Sequence, residues 1–235
     1  MQGANRPSGT TARWVMLLLS LGILLHPQAQ AGTVVGTVKY LGKPPTPRKA
    51  AISQDTEICG TEKQSAYLVV GPDQGIQWAV VQIADLTGAK SSAEPPVVDQ
   101  KGCDFAPRVV IVRPGEEVAI LNSDGILHNV HTRSKENPAV NKAQPGFVKR
   151  MPLTFKHAEV IRLKCDVHGW MTGWIMVTDS PHASVTDGAG SFRLSDVPAG
   201  THQLTTWHEK LGEQSQEITV VDGQESRVVF EFSRE

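Results

Sequence analysis

Cys165-Asp166-Val167-His168-Gly169-Trp170-Met171 brings a thiol, an imidazole and a thioether into one short stretch, and His128-Asn129 lies upstream of it. One thiolate, two imidazoles and one thioether are the donors of a trigonal His₂Cys plane with a weak axial Met, the arrangement that holds electron-transfer copper. Soft sulfur favours Cu(I) and imidazole accepts Cu(II). A compromise between the two lets the ion change charge with little rearrangement. The candidate metal ligands are therefore His128, Cys165, His168 and Met171, around one mononuclear copper.

Parity along the flanking strands sharpens the choice. In Val160–Cys165, Ile161 and Leu163 share a face with Cys165, while Arg162 and Lys164 share the other, so the thiol points into an apolar interior at a strand's end. By the same count His128 lies with Val130 and His131 with Asn129, which makes His131 the reserve ligand. Gly169 is expected to permit the tight turn between His168 and Met171. Other readings of the cluster fare worse. A structural zinc site uses more cysteines in paired spacings, and a Cys–His nucleophile needs an orienting third group and oxyanion donors that nothing here supplies. A buried thiol beside an incidental His is the bland reading.

The cysteine count speaks against that last one. Arg6 and Arg13 precede the apolar run Trp14–Leu25, and Ala29-Gln30-Ala31 offers a cleavage site. Residues 1–31 thus read as a secretory signal peptide, too short for a membrane span. The mature chain would begin near Gly32 in a periplasmic or secreted, oxidising setting. It would hold three cysteines, an odd number. Cys59 and Cys103 can pair, or stand as two unrelated buried thiols; either way Cys165 needs a reason, and metal coordination is one. The formal net charge of −1 becomes more acidic once the leader's arginines are gone. With no Lys/Arg cluster, that argues against nucleic acid and anionic membrane surfaces as partners.

Apolar runs in the mature chain are short and cut repeatedly by Gly and Pro. Strands are expected over 33–41, 67–70, 78–86, 109–112, 117–121, 160–165, 174–177, 192–194, 202–207, 217–221 and 227–232. Turn signals at Asp187-Gly188, Pro198-Ala199-Gly200 and Asp222-Gly223 separate the later ones. No long 3.6-residue periodicity appears, so the chain is all-β and of sandwich type. Residues 135–152, polar and carrying Pro138, Pro145 and Pro152, read as a long loop, and 91–96 as a linker.

Residues 101–179 resemble a cupredoxin, the small blue-copper fold of plastocyanin and amicyanin. The likeness rests on Phe105-Ala106-Pro107, on Val109–Val112 with Pro114-Gly115-Glu116, on Asn122-Ser123-Asp124, on His128-Asn129-Val130 and on Cys165-x-x-His168-x-x-Met171. It implies His128, Cys165, His168 and Met171 as ligands, Asn129 as the tie between the two ligand loops, and a His168 ring edge near the surface as the electron exit. A second likeness lies in Val185-Thr186-Asp187-Gly188-Ala189-Gly190-Ser191-Phe192 and Val197-Pro198-Ala199-Gly200, with Gly36-Thr37-Val38-Lys39 far upstream. These resemble a carboxypeptidase regulatory-like (transthyretin-like) sandwich. Together the resemblances imply a cupredoxin Greek-key β-sandwich over 97–179 and a second, smaller transthyretin-like β-sandwich, split as 32–96 with 180–235. A simple tandem order is the alternative.

The remaining histidines, His157, His182, His202 and His208, read as ordinary surface or turn residues. Trp207-His208-Glu209-Lys210 reads as an interdomain or strand-end contact, and Trp170 and Trp174 as packing or docking residues beside the copper loop. The chain is expected to be a non-enzymatic electron carrier between redox partner proteins, or alternatively a periplasmic protein for copper delivery or tolerance. Met151, Met171 and Met176 are the mature chain's methionines and no Met-rich or His-rich tract occurs, which weighs against delivery. No His-x-His pair occurs either, as a multicopper oxidase or nitrite reductase would need.

Overall fold

The computed structural model describes residues 1–3 and 31–233, and the leader expected over 1–31 lies almost wholly outside them. Among the described residues no helix is long and apolar enough to cross a membrane. In chain order the elements are β1 (Gly32–Tyr40), β2 (Lys49–Ala51), the one-turn helix α1 (Thr56–Cys59), β3 (Glu62–Gln64), β4 (Val80–Ile83), β5 (Val97–Gln100), β6 (Phe105–Ala106), β7 (Val109–Val112) and β8 (Glu117–Asn122). There follow β9 (His128–Arg133), β10 (Asn141–Gln144), β11 (Arg150–Thr154), β12 (Glu159–Lys164), β13 (Thr172–Val177), β14 (Ala183–Val185), β15 (Ser191–Val197), β16 (Gly200–His208), β17 (Gly212–Val220) and β18 (Glu225–Phe232).

The chain is all-β. A five-stranded sheet, β10-β9-β12-β13-β7, faces a four-stranded one, β11-β8-β5-β6. Ile120, Val130, Phe155, Ile161, Leu163 and Ile175 are among the buried side chains of one core between them. A second core, with Val34, Val38, Ile83, Leu204, Phe230 and Phe232, lies among β15-β1-β18 and β14-β4-β16-β17. Strand β1 runs parallel to β18 from Thr33 opposite Glu225 to Tyr40 opposite Phe232, and antiparallel to β15. The first and last strands thus meet in one sheet, while 97–177 builds the other pair. Alternation explains each face: Ile161 and Leu163 are buried and Arg162 and Lys164 are not fully so.

A third cluster joins the two pairs of sheets: Val80, Val109 and Met176, with Trp78, Trp174, Val185 and Trp207 packed on it. Trp174 and Trp207 meet edge to face with ring centroids 5.2 Å apart. Beside them Arg108 donates from Nε to Glu209 Oε1 at 2.7 Å and from Nη1 to the Thr172 carbonyl at 3.0 Å. The Trp207–Lys210 segment is thereby a contact between the two pairs of sheets.

Some expectations need correction. Residues 67–70 form no ladder strand; Val70 makes an isolated bridge to Ile76. The strand expected over 78–86 shrinks to β4, preceded by Trp78 at φ 69°. Residues 135–152 are not one long loop, because β10 and the start of β11 lie there. Both are edge strands, held by backbone ladders that leave no apolar alternation to read. Pro152 sits in β11 opposite Ala119, which turns its N–H the other way to the Pro96 carbonyl, so the missing proline donor leaves nothing unpaired. The polar segment 49–64, β2–α1–β3, places Ile52 and Cys59 in the core of the 97–177 sheets and not in that of the sandwich with which it was grouped.

Cys59 and Cys103 form a disulfide, and Cys165 is free and buried. Thiol counting on denatured protein stripped of metal should therefore return one thiol per chain. A count of three would refute the bridge.

Candidate metal centre

The ladder between β9 and β12 pairs Leu163 with Thr132 and Lys164 with His131. That register sets the start of β9, where His128 stands, beside Cys165 just past the end of β12. The turn after Cys165 returns into β13, closed by the Met171 N–H on the His168 carbonyl at 2.9 Å. Gly169 has no left-handed φ and a Cβ there would meet open space, so the turn does not draw on the freedom that the glycine offers. The hydrogen bond closes it instead.

All four candidate ligands are sealed from solvent: His128, His168 and Met171 are 0% exposed and Cys165 1%. His128 Nδ1 lies 3.0 Å from His168 Nδ1, and Cys165 Sγ lies 4.0 and 3.8 Å from these two nitrogens. Such separations belong to three donors each about 2.0–2.3 Å from a common centre. Met171 sits in the same core.

The outward nitrogens are committed elsewhere. His128 Nε2 meets Asp124 Oδ2 at 2.8 Å and His168 Nε2 meets Asp55 Oδ2 at 2.9 Å. A carboxylate can only accept, so each Nε2 carries the proton and each Nδ1 turns a lone pair inward. Burial pushes the His128 imidazole below its usual range, outweighing the opposing pull of Asp124; neutral imidazole is the form that ligates. Cys165 Sγ accepts the N–H groups of Asn129 and His168, both at 3.3 Å. Two inward lone pairs then face each other at 3.0 Å beside the sulfur. A bound cation resolves that conflict, so the residues fit a soft or borderline metal ion.

Asn129 ties the ligand loops together: besides its N–H on sulfur, its Oδ1 accepts from the Asp166 N–H at 3.2 Å and its Nδ2 donates to Asn141 Oδ1 at 2.8 Å. His131 points away, bonded to Asp166 at 2.8 Å, and stays outside the donor cluster. His168 was expected to show a ring edge to solvent. It does not, because Asp55 and the segment around it cover Nε2, while Trp170 packs on the ring with centroids 5.1 Å apart.

Asp55 and Asp124 were not read as site residues. Asp124 precedes His128 by one turn's worth of chain and so carried a local signal. Asp55 carried none, lying in a polar stretch far upstream. His202 and His208 are also not surface residues: both are buried, His202 bonded to Asp85 at 2.9 Å and to the Pro198 carbonyl at 2.9 Å. Each lies on β16, whose inner face the apolar pattern did not assign to them. Trp170 donates to the Cys103 carbonyl at 3.1 Å and Trp174 packs at the junction, so both serve packing.

No family model matches the chain, and no curated protein matches it. Solved structures similar to part of it include a purple cupredoxin from Nitrosopumilus maritimus, at 17% identity and a TM-score of 0.30, covering 35% of this chain and 99% of that one. Amicyanin from Paracoccus versutus is 20% identical with a TM-score of 0.33, covering 42% of this chain and 97% of its own. A copper-containing nitrite reductase from Thermus scotoductus is 25% identical with a TM-score of 0.32; the match covers 41% of this chain and 25% of the reductase.

Proposed function

We propose that this is an exported mononuclear copper protein that passes single electrons between redox partner proteins, with His128, Cys165, His168 and Met171 as ligands. The observation that carries the reading is the inward meeting of His128 Nδ1, His168 Nδ1 and Cys165 Sγ, with both outer nitrogens held by carboxylates. When bound, copper supplies one-electron chemistry through the Cu(I)/Cu(II) couple. The chain's own residues do the rest. Asn129 and His168 N–H groups hold the sulfur's charge, Asp124 and Asp55 hold the ring orientations, and the apolar core excludes water. Full burial of the donors supports retention of the ion over delivery to another protein.

We also read 97–179 as a copper-bearing, cupredoxin-like sandwich set into a transthyretin-like one made of 32–96 and 180–235, with 49–64 reaching across. The pairing of β1 with β18 supports the insertion over a tandem order. Trp170, half-buried against His168, is the route by which electrons reach the surface.

Titration with Cu(II) should produce an intense visible thiolate-to-copper band that saturates at one ion per chain; protein that stays colourless at saturation would overturn the reading. Met171→Gln should keep copper bound and lower the reduction potential, because a weak axial thioether tunes the couple more than it holds the ion, and a harder oxygen favours Cu(II). Voltammetry checks it, and an unchanged potential would remove Met171 from the ligand set.

A further inference from the structure

The outer carboxylates of the two imidazoles are linked to each other by a continuous chain of bonds. Asp124 Oδ2 receives both His128 Nε2 and the Cys103 N–H, at 2.8 Å each. Cys103 is joined by the disulfide to Cys59. Cys59 closes α1, and its N–H donates to the Asp55 carbonyl at 2.8 Å. Asp55 then reaches His168 Nε2 at 2.9 Å. The frame thus runs His128–Asp124–Cys103–Cys59–Asp55–His168, from one imidazole to the other. The disulfide sulfurs themselves lie within 4.8 Å of a His168 ring nitrogen.

Asp55 comes from outside the 97–179 sandwich, and three features aim it. Its backbone is left-handed, φ 49° and ψ 39°, a conformation Asp tolerates better than most residues. Ile52 anchors the segment in the core on one side and Cys59 on the other. Lys63 continues the attachment through Asp104 at 2.9 Å. The Asp55 side chain keeps 37% of its surface exposed, so its charge remains hydrated on one side while it binds the ring on the other.

We propose that Asp55 is a positioning residue of the metal centre, delivered to His168 by the Cys59–Cys103 bridge, and that the 49–64 segment is the cover that closes the donor cluster. This rests on the copper reading above. Through His168, Asp55 makes the ring a stronger donor and holds it in the ligating orientation before the ion arrives.

The test uses Asp55→Asn, Asp55→Ala and the double variant Cys59→Ala/Cys103→Ala. Loss of an outer partner lowers metal affinity by about 10–100-fold in comparable sites. Asp55→Ala should show a loss of that order in competition with a chelator. Asp55→Asn, which keeps the size and the left-handed preference but not the charge, should keep the visible band and raise the reduction potential. Asp55 is exposed and outside both cores, so these single variants are expected to fold. In metal-free folded protein, alkylation of Cys165 should be at least about tenfold faster in Asp55→Ala and in the double variant, where Cys165 is the reactive thiol. Affinity and potential both unchanged in the Asp55 variants, or alkylation no faster than in the wild type, would overturn the proposal. A wild-type protein without the band would defeat the copper reading, and the alkylation rates would still decide whether Asp55 closes the cluster.

Discussion

Cys165→Ser should abolish the visible charge-transfer band of the copper-loaded protein completely while leaving the fold in place. The band requires a thiolate, and Cys165 is the chain's free cysteine, the other two being bridged. A serine hydroxyl stays protonated near neutral pH, and its harder oxygen is a poor match for Cu(I). The fold has little reason to fail. The new hydroxyl stands where sulfur accepts the N–H groups of Asn129 and His168, so those donors keep an acceptor. Unfolding of the metal-free variant should therefore lie within about 1 kcal/mol of wild type. Absorption and denaturation of the same preparation check both halves. Persistence of the band in the variant would show that another donor set holds the ion.

The second large effect comes from a residue outside the candidate donor cluster, on β16. His208 ends β16, is 2% exposed, and lies beside Arg108 and Lys210. Burial first, then those two cations, pushes its imidazole down to about 4. In the unfolded chain it titrates near 6.5. Between these values the unfolded state takes up a proton that the folded state refuses. Stability is therefore intact above about pH 6.5 and falls as pH drops toward 4, by about 3 kcal/mol at the limit. His208→Gln keeps an acceptor for the Lys210 N–H, which His208 Nδ1 accepts at 3.3 Å, but cannot titrate. The stability difference between pH 7 and pH 4 should shrink by about that amount in the variant, measured by urea unfolding. Equal acid losses in variant and wild type would show that His208 is not the group responsible.

Several strands with an apolar inner face were legible in the sequence, though β5, whose Val98 is buried in the core, was not among those expected. Residues 109–112 match β7 as read, and 117–121, 160–165 and 227–232 differ from β8, β12 and β18 by a residue or two. Strands without such a face were not. β2, β3 and β10 are short and bury no apolar side chain, and their pairing comes from backbone groups that every residue carries. Side-chain periodicity has nothing to report there.

By itself the sequence determined the donor types, their order and the buried parity of Cys165, because those depend on identity and on short separations along one strand and one turn. It also determined that the chain is all-β, since apolar spacing of two is local. Only the tertiary structure decided that Asp55 meets His168, that the ring is covered and that His202 and His208 are buried. Each of those joins residues whose proximity is set by loop closure, sheet register and a disulfide. A carboxylate across more than a hundred residues leaves no pattern around either partner, because the contact is paid for by the packing of everything between them.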